Sequence, residues 1–258
     1  MSSVVNKHIA VWFSSGAASA VAAKLTLDLY GDANKISIIN NPIKEEDKDN
    51  IRFLNDVQKW LGVEIQFALN PKYPAHSCVD VWDDRQFMSG PLGAPCTSEL
   101  KKVARQHWEL TNKPDYTVLG FTSEEQGRAD RFRLSERDTL LTPLIECGYD
   151  KQACFDTLHS AGVEVPRAYR LGYVNSNCIG CVKATSPTYW NHVRKMDPDT
   201  FLTRAKQSRE IGAKLVRVNS TRIFLDELDP NQSGRPMKSY DFECGIFCEE
   251  MVEQNATE

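Results

Sequence analysis

Cysteines are the residues of this chain whose spacing points most directly to chemistry. Within NCIGCVK, Cys178 and Cys181 stand two residues apart, with Gly180 between them to allow a sharp turn that aims both sulfurs one way. Such a pair suits zinc, an iron–sulfur cluster or a redox dithiol. A second close pair, Cys244 and Cys248, lies in ECGIFC, and the two pairs together would offer zinc its usual four ligands. Cys96, in PCTSELKK, shares their turn-rich setting. Cys147 and Cys154 fall in a helical pattern and read as inert apolar residues, and Cys78 is given no role. Eight cysteines in a chain read as cytosolic argue for metal or thiol chemistry, because thiols there are kept reduced.

A second chemical signal is HIAVWFSSGAASAVAAKL, residues 8–25, where an apolar run meets six small residues and then a helical pattern. Ser14, Ser15, Gly16, Ala17, Ala18 and Ser19 let the backbone turn tightly and approach a ligand, and the N–H groups of a helix start attract an anion. A plain strand-to-helix turn satisfies the same pattern.

The elements that would position these groups read as follows. Short Val/Ile-rich runs at 9–13, 36–40, 63–69 and 116–121 alternate with helical patterns near 17–30, 47–61 and 97–110. This alternation predicts an α/β fold, a mainly parallel twisted sheet with helices on both faces. Ligands of such sheets bind beyond the carboxyl ends of the strands, where residues 14–19, Asn40, Asn41 and 121–125 would fall. Past residue 140 the character changes. Helices are expected near 150–160, from 187 or 188, and over 198–215, with 222–228 forming a strand or a short helix. The expected organisation is a nucleotide-binding core over 1–140 and a mostly helical portion over 141–258 that carries the late cysteines.

At 258 residues, 41% hydrophobic and 26% charged, the composition is that of a globular protein. A net charge of −4 argues against a globally basic nucleic-acid surface, although Arg128, Arg131, Arg167, Arg170 and Lys183 leave a local basic channel open. The start, MSSVVNKH, lacks a long apolar run, and the stretch 9–13 is too short to span a bilayer, so the expectation is a cytoplasmic protein without a membrane partner.

Several segments, taken in order, resemble the sulfonucleotide (APS and PAPS) reductases and their relatives in the adenine-nucleotide PP-loop superfamily. SSGAAS stands where that superfamily has its SGGxDS-like phosphate loop. CTSELKK resembles both a CCxxRKxxP-type segment and the CTxxLK segment of phage and bacterial relatives. TPLIECGYDKQACFDTLHSAGVEVPRAYRLGYVNSNCIGCVK follows the family order, and ECGIFC resembles the ECGLH motif that carries the family's nucleophilic cysteine. The likeness runs collinearly over about residues 9–248.

The resemblance implies a PP-loop (HUP-like) core that binds an adenine nucleotide, PAPS, APS or ATP, through Ser14, Ser15, Gly16, Ala17 and Ser19. It implies an anionic pocket lined by Lys101 or Lys102 with Arg128, Arg131 and Arg133. It also implies a [4Fe-4S] cluster on Cys96, Cys178 and Cys181, with zinc as the alternative. Thr97 stands where a second cysteine is found in the APS-reductase branch, so Cys244 becomes the candidate fourth ligand. Under the reductase reading, Cys244 is instead the nucleophile that yields sulfite, with Cys248 or a thioredoxin-like dithiol resolving the adduct. The alternative is an ATP-dependent sulfurtransferase that needs Mg²⁺, releases pyrophosphate and acts on a nucleic-acid base or a small acceptor. A third reading is a non-catalytic nucleotide-binding module with a structural metal. A homodimer stays open under all three. Two departures bear on the choice: the loop lacks the acid of SGGxDS, and Gly245-Ile246-Phe247 lacks the family's histidine.

Overall fold

The computed structural model describes residues 4–91 and 93–237. Cys244 and Cys248, with whatever part they play, lie outside the described residues. The chain divides into two compact units. One takes the described residues of 1–42, 48–69 and 105–167, and the other those of 43–47, 70–104 and 168–258.

The first unit is built on five strands, β1 (His8–Trp12), β2 (Lys35–Asn40), β3 (Ile65–Phe67), β4 (Tyr116–Val118) and β5 (Leu140–Leu141). They hydrogen-bond in the order β3-β2-β1-β4-β5, every pair parallel. β1 is buried at all five positions, which is why its sequence is apolar without alternation. The expected α/β class is therefore what the chain adopts. Because β2 and β4 flank β1 on opposite sides, the strand order reverses beside β1, and the carboxyl ends of β1 and β4 mark the place where sheets of this kind bind ligands.

Helix α1 (Ala17–Tyr30) follows β1 and buries Ala17, Ala20, Val21, Ala22 and Ala23, small residues that permit close packing. Helix α2 (Asp49–Leu61) buries Phe53 and Val57 and ends at Gly62, whose φ of +70° forms a left-handed cap. The expected strands 63–69 and 116–121 are shorter than their apolar runs, and the second stops because the chain turns at Leu119–Phe121.

The division expected at 140/141 follows sequence character rather than packing. Helices Pro143–Glu146 and Lys151–Ser160 pack on α1, so 141–167 belongs with the sheet. Conversely, 43–47 and 70–104 belong with the later residues.

The second unit contains α3 (Cys78–Arg85), the helical run from Pro95 to Val103, helices Pro187–Met196 and Pro198–Ile211, and the antiparallel pair β6 (Val216–Val218) and β7 (Thr221–Ile223). Trp82, Met88, Trp190, Val193, Leu215 and Leu225 lie in its core. The helix expected over 198–215 stops at Gly212, which adopts φ +78°. The segment 222–228 supplies both expected forms, the end of β7 and a short 3₁₀ turn at Leu225–Glu227. Among the described residues no helix is long and apolar enough to cross a membrane.

Candidate functional site

The loop between β1 and α1 is organised by one side chain. Ser19 Oγ accepts hydrogen bonds from the N–H of Ser14 at 3.1 Å, the hydroxyl of Ser14 at 3.2 Å and the N–H of Gly16 at 3.4 Å, and donates to the Gly16 carbonyl at 2.9 Å. Ser15 adopts φ +57°, and its Oγ accepts from Asn40 Nδ2 at 3.2 Å. The N–H groups of Ser14 and Gly16 are thus taken up within the loop itself. Gly120, in the turn after β4, comes so close that a Cβ there would lie 2.8 Å from the Ser19 backbone nitrogen. The loops after β1 and β4 thus meet at the reversal of strand order. Ser14 is exposed, Ser15, Ala17 and Ser19 are buried, and Gly16 is half-buried.

The three arginines of GRADRFR all lie on helix Gln126–Ser135. Arg128 pairs with Glu125 at 2.8 Å and lies 5.2 Å from the ring centre of Phe121. Arg133 pairs with Asp130 at 3.1 Å and donates to Thr142 Oγ1 at 2.7 Å, while Arg131 is exposed. Lys101 belongs to the second unit, where it is buried and pairs with Glu46 at 3.6 Å.

In that second unit, Cys96, Cys178 and Cys181 line one cavity with about 390 Å³ of empty space, and Cys78 lines it with them. The cysteine given no role from sequence is therefore the fourth thiol of this pocket. Lys101, Lys183 and Arg204 also border it.

Local chemistry explains how the thiols are held. Gly180 adopts φ +71°, and a Cβ there would lie 2.9 Å from the Thr200 methyl, so glycine is required on both grounds. The hydroxyl of Tyr189 accepts from the Cys181 N–H at 3.0 Å and donates to the Cys178 carbonyl at 3.5 Å, clasping both ends of the motif. Arg204, 4% exposed, donates through Nε to the Gly180 carbonyl at 3.2 Å and stacks 4.4 Å from the Trp82 ring centre. Cys96 sits in the first turn of its helical run, just before a π-helical stretch, Ser98–Val103, that carries Lys101. Cys78 opens α3 behind Ser77, whose Oγ accepts from the N–H groups of Val79 and Asp80.

Cys78 stands within hydrogen-bonding reach of Cys96 and Cys178, and these bonds, followed by burial, push its thiol well above the ordinary range. Cys96 moves the opposite way, to about 7. The bond from Cys78 is the largest cause, and the Trp82 indole, Lys183 and Lys101 add to it against the opposing effect of burial. The Cys78 thiol and the two lysines thus favour the charged form of Cys96. Tyr189 is kept neutral, its hydroxyl pushed well up by burial and then by the neighbouring Cys181.

Among the described residues no group of three or more His, Cys, Asp or Glu is arranged to hold a single metal ion. The four thiols of the pocket are the donor set that an iron–sulfur cluster takes, each thiolate bound to a separate iron. Trp82 Nε1–H is buried at this cavity and faces the Cys96 sulfur, the placement in which an N–H can donate to a cluster sulfur.

What sequence reasoning missed was Cys78. Its only local signal was the cap residue Ser77 before it. No family model and no curated protein matches the chain. Among solved structures, a U34-tRNA thiolase, NcsA, from Methanococcus maripaludis, determined with its [4Fe-4S] cluster, is similar at 13% identity and a TM-score of 0.48. The match covers 94% of this chain and 83% of that one. Neither the fold nor the chemistry of the pocket rests on a likeness of that degree.

Proposed function

We propose that this chain is a nucleotide-dependent enzyme of sulfur chemistry, an ATP-dependent sulfurtransferase whose thiol pocket carries a [4Fe-4S] cluster. The observation that carries the reading is the gathering of Cys96, Cys178 and Cys181 around one cavity bordered by cations. Cys96, Cys178 and Cys181 would hold the cluster, and iron bound there would supply affinity for inorganic sulfide. Lys101 and Lys183 offset the negative charge of thiolates and incoming sulfide, and Trp82 Nε1–H donates toward sulfur.

The first unit supports nucleotide activation. The loop of Ser14, Ser15, Gly16, Ala17 and Ser19 leads into the N-terminus of α1, which would receive the phosphates of ATP, with Mg²⁺ neutralising the leaving pyrophosphate. A carbonyl oxygen of the acceptor attacks the α-phosphorus and pyrophosphate departs. Sulfide then displaces AMP from the activated carbon, leaving a thiocarbonyl and a released proton. A second cavity, also bordered by Cys178, is lined by Tyr173, Asn175 and Asn177, aromatic and amide groups suited to a planar heterocycle such as a nucleic-acid base.

The test is to supply ATP, PAPS and APS separately to the anaerobically purified, iron-loaded chain. Pyrophosphate and AMP formed with ATP, sulfide and an acceptor support sulfur transfer. Thiol-dependent sulfite from PAPS or APS, abolished by Cys244→Ser, would establish sulfonucleotide reduction in its place.

A further inference from the structure

The fourth thiol of the pocket has a place in the fold that packing alone does not require. Cys78 is 4% exposed, and it faces sulfur on two sides, Cys96 from one segment and Cys178 from another. Its position is fixed by a carboxylate from a third segment. Glu45 Oε2 accepts from the Cys78 N–H at 2.7 Å, while Glu45 Oε1 accepts from the Ser77 hydroxyl at 2.7 Å. The segment carrying Glu45 is held in turn, since the Lys44 N–H donates to the His76 carbonyl at 3.0 Å. Cys154 shows the contrast: it is fully buried on helix Lys151–Ser160, with its thiol pushed up to about 12 by burial first, and no sulfur among the causes of that shift.

We infer that Cys78 is the fourth thiolate of the cluster site, bound to the iron that Cys96, Cys178 and Cys181 leave open. The inference deepens the proposed function and rests on its cluster. A cubane normally takes four protein thiolates, and three motif cysteines leave one place vacant. Cys78 fills it from inside the same cavity, where the Trp82 indole N–H faces the Cys96 sulfur. Cys244 is then not needed as a ligand. Were hydrosulfide to take that iron, the Cys78 thiolate would leave it and accept the hydrosulfide proton, restoring the S–H that reaches Cys96 and Cys178 in the metal-free chain.

The experiment uses the full chain, loaded anaerobically with ferrous iron and sulfide, and reads iron content and paramagnetic resonance after mild oxidation. Wild type, Cys244→Ser and the control Cys154→Ser are expected to keep all four irons and stay silent. Cys78→Ser is expected to lose one iron of the four and to show the signal of a three-iron cluster. A Cys78→Ser chain that keeps four irons and stays silent overturns the assignment, as does a three-iron signal from Cys244→Ser. Should Cys78→Ser fail to fold, Cys244→Ser still decides, because its full iron content supports Cys78 and a lost iron overturns it. A wild type that binds no iron and sulfide overturns both this assignment and the cluster of the proposed function. One that binds them without ATP-dependent sulfur transfer overturns the reaction alone.

Discussion

The loop after β1 and the thiol pocket solve opposite problems. In the loop, residues within six positions of each other satisfy one another, with Ser19 Oγ gathering Ser14 and Gly16. In the pocket, four thiols come from three stretches of chain, around 78, 96 and 178–181, and depend on Glu45 and Tyr189 to stay aligned. A site made of neighbours tolerates loss of one contact, because chain connectivity keeps the rest together. A site made of distant segments needs each clasp, because every segment brought to it carries its own ordering cost.

The largest break is expected at Gly180. Gly180→Ala forces a Cβ into a left-handed position and against the Thr200 methyl, which should cost about 2–3 kcal/mol in denaturant unfolding and sharply lower iron uptake. Thr200→Ser in the same chain removes that methyl and should recover part of the loss, leaving the backbone strain. Next comes Tyr189→Phe. It strips the hydroxyl that serves both ends of the motif and leaves the Cys181 N–H unsatisfied, at a cost of about 1–3 kcal/mol, with weaker cluster retention on dilution into chelator.

The loop should yield less. Ser19→Ala removes the shared acceptor and is expected to cost about 1 kcal/mol of stability and to weaken ATP binding about fivefold by calorimetry, without changing iron content. An equal loss of iron from Ser19→Ala and Tyr189→Phe would erase the contrast between the two regions. The smallest effect is a titration. In the metal-free chain, ultraviolet absorbance should show one thiolate appearing as pH rises through about 7, lost in Cys96→Ser. Its sign follows from a lowered thiol: the charged form is present above that pH and protonates below it. Cys154, pushed up to about 12 by burial, should stay protonated throughout that range.

The separation between local and distant order also explains what could be read from the chain. The parallel sheet was legible because short Val/Ile-rich runs alternate with helical patterns, and because β1 is apolar without alternation, as a strand covered on both faces requires. Gly180 was legible because a two-residue spacing between thiols needs a turn. The arginines at 128, 131 and 133 were read through the resemblance as lining an anionic pocket, and in the fold they share one helix, where Arg128 pairs with Glu125 and Arg133 with Asp130. Helix α3 and Cys78 were not legible, since what fixes them is a carboxylate 33 positions earlier and sulfurs on two later segments.

By itself the sequence determined the first four strands of the sheet, the helices α1 and α2, the small-residue loop after β1 and the turn between Cys178 and Cys181. Each depends on side-chain size, polarity and φ preference within a few residues, and those are properties of a local stretch. The tertiary structure alone decided that residues 43–47 and 70–104 join the later part of the chain, and that Cys78 meets Cys96 and Cys178. Such meetings are set by which buried surfaces fit together, a balance of burial against chain entropy summed over whole segments.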